Sequence, residues 1–148
     1  MRAGVYAFHD LVMLGLGVCG IDDVALSVLT TVIGHQAEKG WVLVDAGWMA
    51  MSRDRGVPGT VPDMGYGQVC DLQGRPIAGL VMVDANQEHG ILAWRDGHAD
   101  TGLAQRHPVG SRLRVLPNHA CATAAQFAQY HVVGGGGALQ VWDRFNGW

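Results

Sequence analysis

A histidine and a cysteine stand two residues apart in "VLPNHACATAAQ", Val115 to Gln126. In an extended backbone residues i and i+2 project to the same side, so His119 and Cys121 can offer an imidazole nitrogen and a thiolate to one ion. That donor pair favours zinc among the common ions. Two protein ligands leave a four-coordinate ion open to water or substrate, unlike a closed structural site. The helix expected after Asn118 would also aim backbone N–H groups and a positive dipole end at an anion bound beside the metal. The competing reading makes Cys121 a small buried hydrophobe, and H-x-C by itself does not decide between them.

The second constellation is "NQEHG", Asn86 to Gly90, where Glu88 and His89 are adjacent before a glycine. In a strand the two would face opposite sides, so they form one acid–base pair only if a turn intervenes; either one alone could face a site. The alternative is a polar strand end entering a tight turn. "SRDRG", Ser52 to Gly56, reads first as a capped, solvated loop held by local charge pairs. The remaining histidines are isolated and receive no role. The one lysine, Lys39, lies in the turn sequence "HQAEKGW", a poor setting for the buried, activated amine that pyridoxal phosphate enzymes use.

The elements that must position these groups read as mainly β. Alternation and β-branched content predict strands over Ala3–Phe8, Ala25–Gln36, Trp41–Gly47, Gly65–Asp71, Ala78–His89, Gly90–Asp96 and Ser111–Pro117, with two short arms flanking Gly134 to Gly137. Turn signals recur at intervals too short for parallel crossovers, so the expectation is an antiparallel β-barrel or sandwich with one or two short helices. The helical candidates are Gly47–Asp54 and the alanine-rich Ala120–His131. Arg53–Gly67, with two prolines and four glycines, is a loop long enough to serve a function or to be disordered.

The 148 residues are the length of one domain, and 49% hydrophobic with 16% charged residues is the composition of a folded chain. A net charge of −3 with scattered arginines offers no basic stripe, which argues against nucleic acid as a partner. Three irregularly spaced cysteines suit a reducing compartment, so a cytoplasmic location is expected. The most apolar run, "LVMLGLGVCG" from Leu11 to Gly20, is about half a bilayer span and lacks a basic leader. It reads as core, and no membrane partner is expected.

Six blocks, "RAGVYAFHD", "VLVDAGWMAMSRDRG", "YGQVCD", "NQEHG", "VGSRLRVLPNHACATAAQF" and "WDRFNGW", occur in an order that resembles the C-terminal domain of the D-threonine aldolase and D-serine dehydratase family, the metal-dependent branch of the alanine-racemase-like fold. The likeness runs from Arg2 to Trp148, and "PNHAC" is its most specific motif. Members of that family resemble two-domain enzymes, with a (β/α)8 barrel carrying pyridoxal phosphate on a lysine and a β-domain supplying a metal. The resemblance implies that residues 1–148 are a single domain of the second kind. It further implies that His119 and Cys121 are the metal ligands, that the ion is zinc with manganese as the alternative, and that the substrate is a small D-amino acid. The metal would polarise the substrate β-hydroxyl for dehydration or retro-aldol cleavage; on the reading of the residues themselves, Glu88 and His89 are the catalytic candidates, either one alone facing the site. Pyridoxal phosphate would reach this chain only through a separate barrel domain or subunit. A stand-alone binding or self-associating β-module is the alternative from another class.

Overall fold

The computed structural model describes residues 4–57, 62–134 and 139–145. Six strands close into an antiparallel barrel: β1 (Val28–Gln36), β2 (Trp41–Val44), β3 (Gly67–Cys70), β4 (Pro76–Ala85), β5 (Gly90–Trp94) and β6 (Arg112–Pro117). Their order around the barrel is β1-β2-β5-β4-β3-β6, and β6 returns to pair with β1. The mainly β, barrel-type expectation is therefore what the chain adopts.

Alternation explains the inner face. On β1 Val28, Thr30 and Val32 point inward, while Leu29 and Ile33 are half exposed. The inward side chains join Val42, Val44, Val69, Leu80, Met82, Leu92, Leu113 and Val115 in one core. Register shifts on the β1–β2, β3–β4 and β4–β5 pairs supply the local bends that closing a small barrel needs. β3 is buried on both faces because its outer side is covered: Cys70 and Leu116 pack under Leu11 of helix α1 (Leu11–Gly15). The buried Gln68 shares the two hydrogens of its amide among the carbonyls of Val69, Ile77 and Leu80, at 2.8, 2.9 and 3.0 Å.

Several sequence expectations are corrected. Ala3–Phe8 is no strand where it is described. Val5–Ala7 forms one 3₁₀ turn, with the Phe8 and His9 amides both donating to the Val5 carbonyl. The apolar run after it is not core throughout: Asp10 caps α1, Leu11 is buried, and Leu16 and Val18 are exposed. The strand expected to reach His89 ends at Ala85.

Among the described residues the other helices are α2 (Trp48–Met51), α3 (Leu103–Arg106) and α4 (Ala120–Ala124). The expected helix Ala120–His131 stops early, because Gln129–Val133 becomes β7 and pairs with β8 (Leu139–Asp143). Cross-strand pairing of Tyr130, Val132 and Val133 outweighs the alanine propensity before it. The two arms around the glycines are thus present, while residues 135–138 lie outside the described residues, as do residues 58–61 of the Arg53–Gly67 loop. Among the described residues no helix is long and apolar enough to cross a membrane.

Candidate metal centre

The site begins where β6 runs out. Pro117 is its last residue, and Asn118 then fastens the chain to three other segments. Its buried amide donates to the Gly65 carbonyl at 2.8 Å and the Asp54 carbonyl at 3.1 Å, and its own carbonyl accepts from the Val12 amide at 3.3 Å. Gly65 is a glycine for a reason: at φ +59° any Cβ would lie 2.3 Å from the Met82 carbonyl oxygen.

His119 keeps an extended backbone (φ −132°, ψ 99°), and Cys121 is the second residue of α4. The pair therefore straddles a strand-to-helix junction and does not lie on one extended segment. The buried Cys121 of the competing reading is also absent, since this thiol is free and exposed. The expected anion site at the start of α4 is corrected as well. The Ala120 amide donates to Asp10 Oδ2 at 3.0 Å, so an internal carboxylate already occupies that position, and five residues are too short to sum a large dipole.

A residue that sequence reasoning passed over completes the geometry. His119 Nδ1 lies 2.8 Å from Asp54 Oδ2, with both side chains partly exposed. A carboxylate accepts, so Nδ1 is the donor of this contact, which in a neutral ring leaves Nε2 as the bare nitrogen. Asp54 reaches this position from α2. The Ser52 amide closes that helix on the Trp48 carbonyl, and Ser52 itself sits at φ 74°, ψ 172°, a region that non-glycine residues avoid at a cost of about 1–3 kcal/mol. Its hydroxyl accepts from the Asp54 amide at 3.2 Å, and Asp54 Oδ1 accepts from the Gly56 amide at 2.8 Å. Thr123 Oγ1 of α4 donates to the Met51 carbonyl at 2.8 Å, a second tie between the two helices.

Glu88 and His89 occupy the turn between β4 and β5. The Asn86 amide donates to the His89 carbonyl at 2.8 Å, and Asn86 Nδ2 donates to His89 Nε2 at 3.0 Å. Glu88 is exposed, and among the described residues the two share no hydrogen bond. The carbonyls of Asn86 and Gln87 accept from the amides of Trp48 and Met49 at 2.8 and 3.2 Å, so this turn caps the start of α2. Gly47 permits the approach, because a Cβ there would lie 2.3 Å from the Asn86 oxygen. The block thus seats the helix whose far end presents Asp54.

His119 thus presents an imidazole and Cys121 an exposed thiol, two residues apart at the β6–α4 junction. Among the described residues, no group of three or more His, Cys, Asp and Glu side chains gathers as a ligand set.

Comparison with known proteins bears on this arrangement. The family model described as "Putative serine dehydratase domain" matches residues 25–133. The D-threo-3-hydroxyaspartate dehydratase of Delftia sp. (strain HT23) is 64% identical over 148 residues, which is all of this chain and 39% of that protein. Its structure superposes with a TM-score of 0.94, covering 99% of this chain and 39% of the other. The same enzyme has been solved with a histidine replaced by alanine, and with a cysteine replaced by alanine in the metal-free form. The D-serine dehydratase of Dictyostelium discoideum is 31% identical over 140 residues, 90% of this chain and 33% of that one. A D-threonine aldolase from Filomicrobium marinum, 22% identical, shares the fold at a TM-score of 0.61 over 95% of this chain and 34% of its own. The chain therefore spans about two-fifths or less of the length of these relatives.

Proposed function

Since the chain belongs to the serine dehydratase domain family, we propose that it is the metal-carrying domain of a lyase acting on D-amino acids with a β-hydroxyl group. The observation that carries the reading is an imidazole with its Nδ1 already engaged, two residues from an exposed thiol. The donor set fits the ion: one nitrogen and one sulfur suit zinc, whereas manganese prefers oxygen. The Delftia enzyme supports it, because the histidine and the cysteine replaced in its variants are two positions apart, as His119 and Cys121 are here, and its cysteine variant was solved in a metal-free form.

His119 through Nε2 and Cys121 through Sγ would hold the zinc, which when bound supplies Lewis acidity to the substrate β-hydroxyl. Pyridoxal phosphate fits no lysine of this chain. Lys39 is exposed in the β1–β2 turn, its Nζ 4.4 Å from the Trp41 ring centroid. The cofactor and its lysine are therefore assigned to a barrel domain or subunit, and the chain is assigned no turnover alone. Glu88, exposed on its turn, is the acid–base candidate of its block, whereas His89 is held by Asn86.

The test measures bound zinc in the wild type, His119→Ala and Cys121→Ala. It then measures D-serine, D-threonine and 3-hydroxyaspartate turnover after adding a barrel chain loaded with pyridoxal phosphate. Loss of zinc in both variants and restored turnover only with the wild type is the expected result. Unchanged zinc in both variants overturns the metal assignment, and no turnover with a cognate barrel overturns the lyase assignment.

A second reading, a binding or self-association module, is favoured by the β7–β8 hairpin, where Val133, Leu139, Val141 and Trp142 are all about half or more exposed. Light scattering separates the two: a monomer at high concentration argues against this module.

A further inference from the structure

We infer that Asp54 is the positioning residue of the centre, holding His119 in the tautomer and orientation that turn Nε2 toward a metal; this rests on the metal reading of His119 and Cys121. Three observations carry it. The His119 Nδ1 to Asp54 Oδ2 distance of 2.8 Å is that of a charge-assisted hydrogen bond, and a carboxylate in that bond fixes which ring nitrogen bears the proton. The two Asp54 oxygens meet the Nδ1 side of the ring and the Gly56 amide, Oδ2 the ring and Oδ1 the amide, so the carboxylate acts on the centre from behind the imidazole. The carboxylate is also aimed from several sides. Ser52, held at φ 74°, receives the Asp54 amide on its hydroxyl; Asn118, adjacent to His119, donates to the Asp54 carbonyl; and Thr123 ties α4 to Met51. An ordinary surface ion pair between two flexible side chains needs none of these.

Asp54 therefore acts through His119 and touches no substrate. Its effect is on how tightly the ion is held and on the ring's proton, and both can be read without turnover. Zinc affinity is measured by chelator competition on the full chain, using zinc alone, for the wild type, Asp54→Ala, Asp54→Asn, Asp54→Glu, His119→Ala and Cys121→Ala. Nitrogen NMR of the His119 ring in zinc-free protein at neutral pH gives the tautomer. We expect zinc binding about 10- to 100-fold weaker in Asp54→Ala and Asp54→Asn, with partial recovery in Asp54→Glu. The ring proton should sit on Nδ1 in the wild type and redistribute to Nε2 in Asp54→Ala. Wild-type affinity in Asp54→Ala, when His119→Ala and Cys121→Ala have lost zinc, overturns the positioning role alone. Zinc retained in the His119 and Cys121 variants overturns the metal reading instead. If Asp54→Ala fails to fold, the zinc affinity of Asp54→Asn gives the same decision, because the neutral amide fills the same space without the carboxylate's charge, and wild-type affinity in that variant overturns the role.

Discussion

Asp10 and Ala120 are joined across 110 residues: the aspartate Oδ2 accepts from the Ala120 amide at 3.0 Å while its Oδ1 accepts from the Met13 amide at 3.0 Å. One buried carboxylate thus caps α1 and the helix that carries Cys121. Removing it leaves two helix starts without partners, each cap contributing about 0.5–2 kcal/mol. Asp10→Ala should lower unfolding free energy by about 2–4 kcal/mol, more than either cap alone, because both donors lose a charged partner. Urea denaturation measures this, and a loss below about 1 kcal/mol would show the two caps to be dispensable.

The cysteines should separate by reactivity. Burial, with the nearby Asp71 charge adding to it, pushes the Cys70 thiol up to about 11, and its sulfur is fully covered. Cys121 is exposed and Cys19 partly so, the latter raised by burial and by Asp23 and Asp10. Since the thiolate is the reactive form, a maleimide at neutral pH should label Cys121 first and Cys70 only in denaturant. Mass spectrometry of digests identifies the labelled residue, and saturating zinc should protect Cys121. Labelling of Cys70 in the native protein would contradict the packing described under α1.

Acid sensitivity should come partly from His107. Burial, together with the charges of Arg106 and His35, holds its imidazole below the usual value, and His35 Nε2 reaches its carbonyl at 2.8 Å. A folded pKa below the unfolded one means that the unfolded chain takes up more protons as pH falls, so stability is fully present above about 6.5 and declines below it. His107→Gln should flatten that decline while leaving stability at pH 8 nearly unchanged. Thermal unfolding from pH 8 to pH 5 tests it, and parallel curves for the two proteins would rule His107 out.

How much of this could be read from the residue string depends on distance along the chain. Strands such as β1 are legible because Val28–Ile33 is a local run of β-branched and apolar residues, whereas its sidedness is not, since Thr30 is buried and Leu29 and Ile33 face outward. The order β1-β2-β5-β4-β3-β6 is not legible, since it is decided by pairings such as Val69 with Val115. His119 and Cys121 stand out by type and spacing. Asp54 does not, because 65 residues separate it from His119 and its neighbours look like any charged loop. The early end of α4 was hidden for a related reason: alanine propensity is local, while the partners of Tyr130 and Val132 lie beyond a glycine run.

Gly65 couples the barrel to the site through its backbone. Its carbonyl receives the Asn118 amide at 2.8 Å, its own amide donates to Asp63 Oδ1 at 2.8 Å, and its φ of +59° brings Cα against the Met82 carbonyl. Gly65→Ala would place a methyl 2.3 Å from that oxygen, a distance no real contact tolerates, so the 65–67 segment must move away from β4. The backbone conformation adds about 1 kcal/mol for a residue with a Cβ, and the clash adds at least as much, giving a loss of about 2–4 kcal/mol. Asn118 would then lose one of its two carbonyl acceptors, and His119 follows Asn118 directly. Zinc affinity should therefore fall along with stability in Gly65→Ala, whereas Gly74→Ala, at a positive φ but with nothing near its Cβ, should cost only the backbone strain and leave zinc binding as it was. Equal effects of the two substitutions on zinc affinity would separate the Gly65 contact from the metal centre.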